Sequence, residues 1–167
     1  MSRARKKQPA AGTPALALLE STGTAHAVHP YEHDPASELG YGEEAARALG
    51  IDPARLFKTL LASVDGRVVV GIVPVARRLD LKALAHAVSG KKATMVEPAT
   101  AERTTGYVVG GISPLGQKQR LATVLDESAM AFDQVYVSGG RRGLDVSLAP
   151  ADLARLTGAT TAAIARD

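Results

Sequence analysis

The sequence contains no cysteine and no tryptophan, and aromatic residues make up only 4% of its 167 positions. Without thiols there is no disulfide framework, no thiolate nucleophile and no cysteine-liganded metal centre, a composition that suits a reducing compartment. No apolar run approaches the ~20 residues of a membrane-spanning helix, and no apolar segment follows the N-terminal charges as a secretory signal requires, so the reading is cytoplasmic. An excess of one charge is also nearly missing. The formal net charge is +3, from 20 basic and 17 acidic residues, yet Arg3, Arg5, Lys6 and Lys7 fall in the first seven positions, and setting them aside leaves 16 against 17. Residues 1–12 therefore read as a disordered basic tail with a loose attraction for polyanions, and residues 13–167 as one nearly neutral domain. What is plentiful is aliphatic: at 46% hydrophobic, a chain of this length has material for an ordinary core.

Punctuation by Gly, Pro and Asp sets the expected elements. Thr13-Pro14 reads as an N-cap and first helical position, with a helix over Ala15 to Glu20 and Gly23 as its stop. A strand from about Ala25 to Val28 and a loop from His29 to Pro35 precede a helix over Glu43 to Leu49, ended by Gly50; Asp52-Pro53 opens a further helical turn. Phe57 to Val64 and Arg67 to Pro74 are β-rich runs separated by Asp65-Gly66, a strong hairpin signal. Asp80 caps a helix reaching about Ser89, with Leu81, Leu84, Ala85 and Val88 on one stripe. Later strands are expected near Ala93 to Val96, Gly106 to Val109, Ala122 to Leu125, Gln134 to Val137 and Leu144 to Leu148. Helical pieces fall at Ala99 to Arg103, Glu127 to Ala131 and Ala151 to Leu156. Hairpins and helical crossovers together imply a mixed sheet flanked by helices, an α/β or α+β domain.

The segment Gly110-Gly111-Ile112-Ser113-Pro114-Leu115-Gly116-Gln117 carries the clearest chemical signal. Two glycines and a proline make a tight loop whose amides can face a phosphate or a developing oxyanion. It is not a P-loop, because Gln117-Lys118-Gln119 stands where Lys followed by Ser or Thr is needed. Nor is Ser113 in a nucleophile elbow, since Leu115 replaces the second glycine; its hydroxyl reads better as a group that orients a ligand. His29, Glu32, His33 and Asp34 resemble metal ligands, but Pro30 and Pro35 break the helix that would bring the imidazoles together. Lys58 interrupts an apolar strand and, if buried, needs a partner, either a substrate phosphate or carbonyl or a structural carboxylate. Asp145, which opens the last β-run, is a candidate for that partner or for binding a substrate amine. The pairs Arg77-Arg78, Lys91-Lys92, Lys118 with Arg120, and Arg141-Arg142 would form a nucleic-acid footprint if they shared a face.

The chain closely resembles the YbaK/EbsC family, free-standing relatives of the editing domain inserted in bacterial prolyl-tRNA synthetase, and within it the Cys-tRNA(Pro) deacylase branch. The resemblance is carried by Thr13-Pro14-Ala15, Tyr31-Glu32-His33-Asp34-Pro35, Phe57-Lys58-Thr59-Leu60-Leu61, Leu79-Asp80-Leu81-Lys82, the long run from Thr105 to Lys118, and Val137-Ser138-Gly139-Gly140 with Arg142-Gly143-Leu144-Asp145. It implies a mixed, partly barrel-like sheet flanked by helices and a pocket for the aminoacylated 3′ end of tRNA, where an ester is cleaved. It also implies an essential lysine at Lys58, a pocket aromatic at Tyr31, a backbone loop near the scissile carbonyl at Gly110 and Gly111 with Ile112 and Ser113, and a pocket acid at Asp145. No metal or cofactor is expected. The implied mechanism is substrate-assisted, with the cysteine thiol attacking its own ester, and the implied partner is prolyl-tRNA synthetase. Two alternatives stand beside it: a non-catalytic module for the tRNA 3′ end or a nucleotide, and a deacylase for alanyl- or seryl-charged tRNA.

Overall fold

The computed structural model describes residues 12–167, so the basic tail expected over residues 1–12 lies, Gly12 apart, outside the described residues. The first helix, α1 (Pro14–Ser21), starts as its sequence dictates: Thr13 Oγ1 accepts the Leu16 N–H at 3.2 Å. The same hydroxyl donates to the Gly139 carbonyl at 2.7 Å, so the cap also pins the helix to the sheet beneath it. The hairpin of β2 (Phe57–Val64) and β3 (Arg67–Pro74) forms over the expected residues, with Asp65 and Gly66 both at positive φ in its two-residue turn. Val69 to Val73 is apolar apart from Gly71 because β3 is covered on both faces.

Around this hairpin, β5 (Ala93–Met95) adds antiparallel to β2, while β6 (Ala122–Asp126) and β9 (Thr160–Ala162) extend the other side in parallel, giving the order β5-β2-β3-β6-β9. A second, antiparallel sheet has the order β1-β8-β7, from β1 (Ala27–Pro30), β7 (Val135–Arg141) and β8 (Leu144–Leu148). A parallel bridge from Leu56 to Tyr136 stitches the two sheets together, which remain unclosed. Phe57, Ile72 and Leu125 of the large sheet meet Val137, Val146 and Leu148 of the small one in the main core, with Leu16 and Leu19 of α1 at its edge. A second core lies where α3 (Leu81–Ala87), capped by Asp80 as expected, covers Val64, Val69 and Val73. The remaining helices are α2 (Tyr41–Leu49), α4 (Pro98–Thr105) and α5 (Pro150–Thr157), with a 3-10 turn over Glu127–Ala131. Among the described residues no helix is long and apolar enough to cross a membrane.

Three expectations are corrected. Gly106 to Val109 is not a strand: α4 runs on to Thr105, and in the loop after it Thr105 Oγ1 accepts the Tyr107 N–H, Glu102 accepts the Val109 N–H and Arg142 donates to the Val109 carbonyl. Asp52-Pro53 makes a single hydrogen-bonded turn rather than a helix, with Asp52 Oδ1 accepting the Ala54 N–H at 2.9 Å. The first strand lies two residues later than expected, at the edge of its sheet, where Pro30 is tolerated at its end.

The short pairing of β4 (Arg78–Leu79) with β10 (Ala165–Arg166) has no sequence pattern of its own. It depends on Asp126, whose buried Oδ1 accepts the N–H groups of Ile164 and Ala165 at 2.9 and 3.0 Å, while Oδ2 accepts from the Ser128 hydroxyl and amide. Asp126→Ala strands those donors and is expected to cost about 3 kcal/mol or more, lowering Tm by roughly 6–12 °C. Asp126→Asn, which keeps one acceptor oxygen, should lose less. Thermal unfolding decides, and equal Tm values for parent and alanine variant would contradict the assignment.

Candidate active site

A cavity of about 380 Å³ opens between the two sheets, within the roughly 300–1,000 Å³ of small-ligand sites. Its floor is β2, its sides are the first turns of α2 and α4, and the loop around Gly110 forms one wall. Lys58 enters from β2, opposite Val73, and is half-buried. Burial pulls its amine below the usual lysine value of 10.5, and Arg78 pulls the same way, while the Glu43 carboxylate opposes them. Among the described residues no carboxylate lies within 4.0 Å of its ammonium, so the structural ion pair that remained open from sequence is not made.

Asp145 reaches the cavity from β8, between Ser138 of β7 and His29 of β1. It is only 4% exposed, and its Oδ2 has no hydrogen-bond partner. Burial pushes the carboxyl up from 3.8 to about 7. Tyr31 lines the same space. Its hydroxyl pKa is raised mainly by burial and then by the neighbouring Asp145 charge. Thr59 Oγ1 is a second buried, unpartnered atom on the wall. Buried polar groups are nearly always paired, so these two atoms are groups on the cavity wall whose hydrogen-bonding capacity is open to a ligand or to solvent.

The glycine loop divides its labour. The Gly111 N–H donates to the Val108 carbonyl at 2.8 Å, and Gly110 at φ +90° takes the third place of that four-residue turn, which marks it as type II. The Gly110 and Ile112 amides find no acceptor among the described residues, and both residues line the cavity. Gly111 does not. It packs against the backbone of Arg141 and Arg142 so closely that a Cβ would lie 2.6 Å from Arg141 Cα. Ser113 is also away from the cavity wall, fully buried, with its Oγ accepting the Leu115 N–H at 3.2 Å. The fold thus brings Lys58, Tyr31, Gly110, Ile112 and Asp145 together and leaves Gly111 and Ser113 behind the wall.

Thr59, Ser138 and the start of α2, with Tyr41 and Glu43, also line the cavity without any signal in the sequence that singles them out. Helix α2 is set there by Glu44, whose carboxylate receives the Asp34 N–H and pairs with His33 Nδ1, both at 2.8 Å. These contacts, the Asp34 amide first, hold the Glu44 carboxyl below its ordinary value. His29 Nε2 instead meets Ser147 Oγ at 2.8 Å, so the two imidazoles serve separate contacts. Of the basic pairs, Arg77 meets Asp167 at 3.3 Å, the Lys91 and Lys92 main-chain N–H groups donate to the Asp65 carboxylate, and Arg142 joins the glycine loop.

Residues 37–156 match the family described as the aminoacyl-tRNA editing domain. The chain belongs to this family. It is 42% identical over 117 residues to a protein of Enterococcus faecalis named Cys-tRNA(Pro)/Cys-tRNA(Cys) deacylase EbsC, covering 69% of this chain and 71% of that one. It is 27% identical over 146 residues, 84% of each chain, to the Escherichia coli K12 protein named multifunctional Ser/Thr-tRNA deacylase ProXp-y. A proline–tRNA ligase of Maridesulfovibrio salexigens is 29% identical over 101 residues, which is 60% of this chain but 17% of the ligase. The fold agrees with a crystal structure described as a trans-editing enzyme for prolyl-tRNA synthetase, at a TM-score of 0.82 and 25% identity over 97% of this chain and all of that one. Within the editing family, the matched span contains Lys58, Gly110 and Asp145, whereas Tyr31 precedes it.

Proposed function

We propose that this chain is a trans-editing aminoacyl-tRNA deacylase that clears Cys-tRNA(Pro). The observation that carries the reading is one cavity holding, among the described residues, an unpaired lysine, an unpaired peptide N–H at Gly110 and an unpartnered buried carboxyl, with no described histidine or cysteine on its wall. Such a site offers positioning and charge stabilisation but no strong protein nucleophile. A substrate that brings its own nucleophile suits it. The cysteine thiol attacks the ester carbonyl, a C–S bond forms as the C–O bond to the ribose breaks, and the thiol proton ends on the released ribose hydroxyl. The products are tRNA and a cyclic thiolactone.

In this account Lys58 binds the terminal phosphate or the carbonyl oxygen, and the Gly110 N–H meets the charge that develops on that oxygen. Asp145 receives the α-amino group, whose positive charge offsets the cost of ionising a buried carboxyl. Prolyl-tRNA synthetase is the proposed partner, consistent with the nearly neutral composition after residue 7 and with the segment shared with proline–tRNA ligase. A second reading, seryl- or threonyl-charged tRNA as substrate, is favoured by the free Thr59 hydroxyl and by the ProXp-y relative. A panel of tRNA(Pro) charged with cysteine, alanine, serine, threonine and proline separates them. Cysteine should be cleared fastest, with thiolactone as product. Binding of all five without hydrolysis would leave only a module for the tRNA end.

A further inference from the structure

Val109 is gripped from both sides. Its N–H donates to Glu102 Oε2 at 2.8 Å, and its carbonyl accepts from Arg142 Nε and a terminal guanidinium nitrogen at 2.9 and 2.7 Å. Arg142 in turn lies over the Tyr41 ring, 4.9 Å from its centroid, so one guanidinium joins the start of α2 to the glycine loop. A Cβ on Gly110 would lie 2.8 Å from both Arg142 Nε and the Tyr41 ring, so the contact closes only because residue 110 is glycine.

The consequence lies in the next peptide. In a trans peptide the carbonyl of Val109 and the N–H of Gly110 point in opposite directions. Arg142 is not on the cavity wall, whereas Val109 and Gly110 are. Drawing the carbonyl outward to Arg142 therefore turns the Gly110 N–H toward the cavity. The alternative is close at hand, because type I and type II turns differ by rotation of this central peptide, and glycine permits both. A rotated peptide would bring its carbonyl toward an oxygen that is gaining negative charge.

We propose that Arg142 is a positioning residue for deacylation, holding the Val109–Gly110 peptide so that its N–H faces the ester carbonyl. This rests on the deacylase reading of the cavity. The test combines single-turnover deacylation of Cys-tRNA(Pro) with the Gly110 amide resonance of ligand-free protein, for the parent, Arg142→Met and Arg142→Lys. Methionine keeps an apolar stem on Tyr41 and removes both donors. It should lower the saturating rate about 10–100-fold, leave the half-saturating concentration within about threefold, and shift the Gly110 resonance. Lysine, with one donor in reach, should recover part of the rate.

A saturating rate unchanged in Arg142→Met, or a loss confined to the half-saturating concentration, would overturn the proposal and make Arg142 a tRNA contact. So would a Gly110 resonance that does not move. If the parent protein deacylates none of the charged tRNAs, the deacylase reading fails by itself, and the resonance comparison still decides how the peptide is held.

Discussion

Lys58→Ala is expected to lower the saturating single-turnover rate on Cys-tRNA(Pro) by about 10²–10³-fold, the range seen when one donor to a developing oxyanion is removed. The half-buried ammonium has lost part of its hydration and, among the described residues, gained no carboxylate within 4.0 Å in exchange. Its burial cost is met when an anionic group of the substrate arrives. The sign for stability follows from the same fact. A lysine whose folded pKa lies below its unfolded value disfavours the fold while it is charged, and that penalty is relieved only as pH rises toward 10.5. At pH 7 the alanine variant should therefore unfold at the parent's temperature or slightly above it while losing its activity. Lys58→Arg should also be impaired, because a planar fork does not replace a compact ammonium in a cavity of this size. Turnover of the alanine variant within threefold of the parent would remove Lys58 from the reaction.

Asp145→Asn should separate stability from activity in the same way, with a pH signature. The folded carboxyl titrates at about 7 against an ordinary 3.8, so the folded state keeps a proton that the unfolded chain has released. The stability associated with that proton is fully present below pH 3.8 and is lost as pH rises through 7. A move of this size corresponds to about 4 kcal/mol, an upper value for a group beside an open cavity. Asparagine fills the same space and does not ionise. The difference in Tm between variant and parent should thus be small near pH 4, grow between pH 4 and 7, and reach roughly 5 °C or more in the variant's favour at pH 8. Deacylation should fall about tenfold or more, because the α-amino group loses its anionic partner. A Tm difference that stays flat from pH 4 to 8 would mean that Asp145 is not a buried acid.

Much of this was legible in the sequence where a local rule and the tertiary structure agree. The Asp65-Gly66 turn between two β-rich runs, and the Thr13 and Asp80 caps, needed no distant partner to be read. Tyr107-Val108-Val109 misled because a β-branched, aromatic run ordinarily seeks a ladder, whereas here Glu102 and Arg142 capture the backbone of Val109 and the Tyr107 hydroxyl reaches the Leu115 carbonyl. The strands β4, β9 and β10 are too short to carry a period. In the site, Lys58 stood out because it interrupts an apolar β-run, and Asp145 because it is a carboxylate that opens one. Thr59 did not, since its unsatisfied hydroxyl depends on what lies across the cavity. Nor does the sequence Gly110-Gly111 reveal which glycine faces the ligand. That distinction comes from the hydrogen bond that occupies one amide and leaves the other free.

The most direct test of the whole account is a crystal structure with a non-hydrolysable end of the substrate, adenosine carrying cysteine through a 3′-amide. The account predicts its carbonyl oxygen within hydrogen-bond reach of the Gly110 N–H, its amino group at Asp145 Oδ2, and Lys58 against the carbonyl or the ribose 5′ position where the phosphate would stand. An analogue seated elsewhere on the molecule, or bound in the cavity with its carbonyl turned away from Gly110 and Lys58, would contradict it.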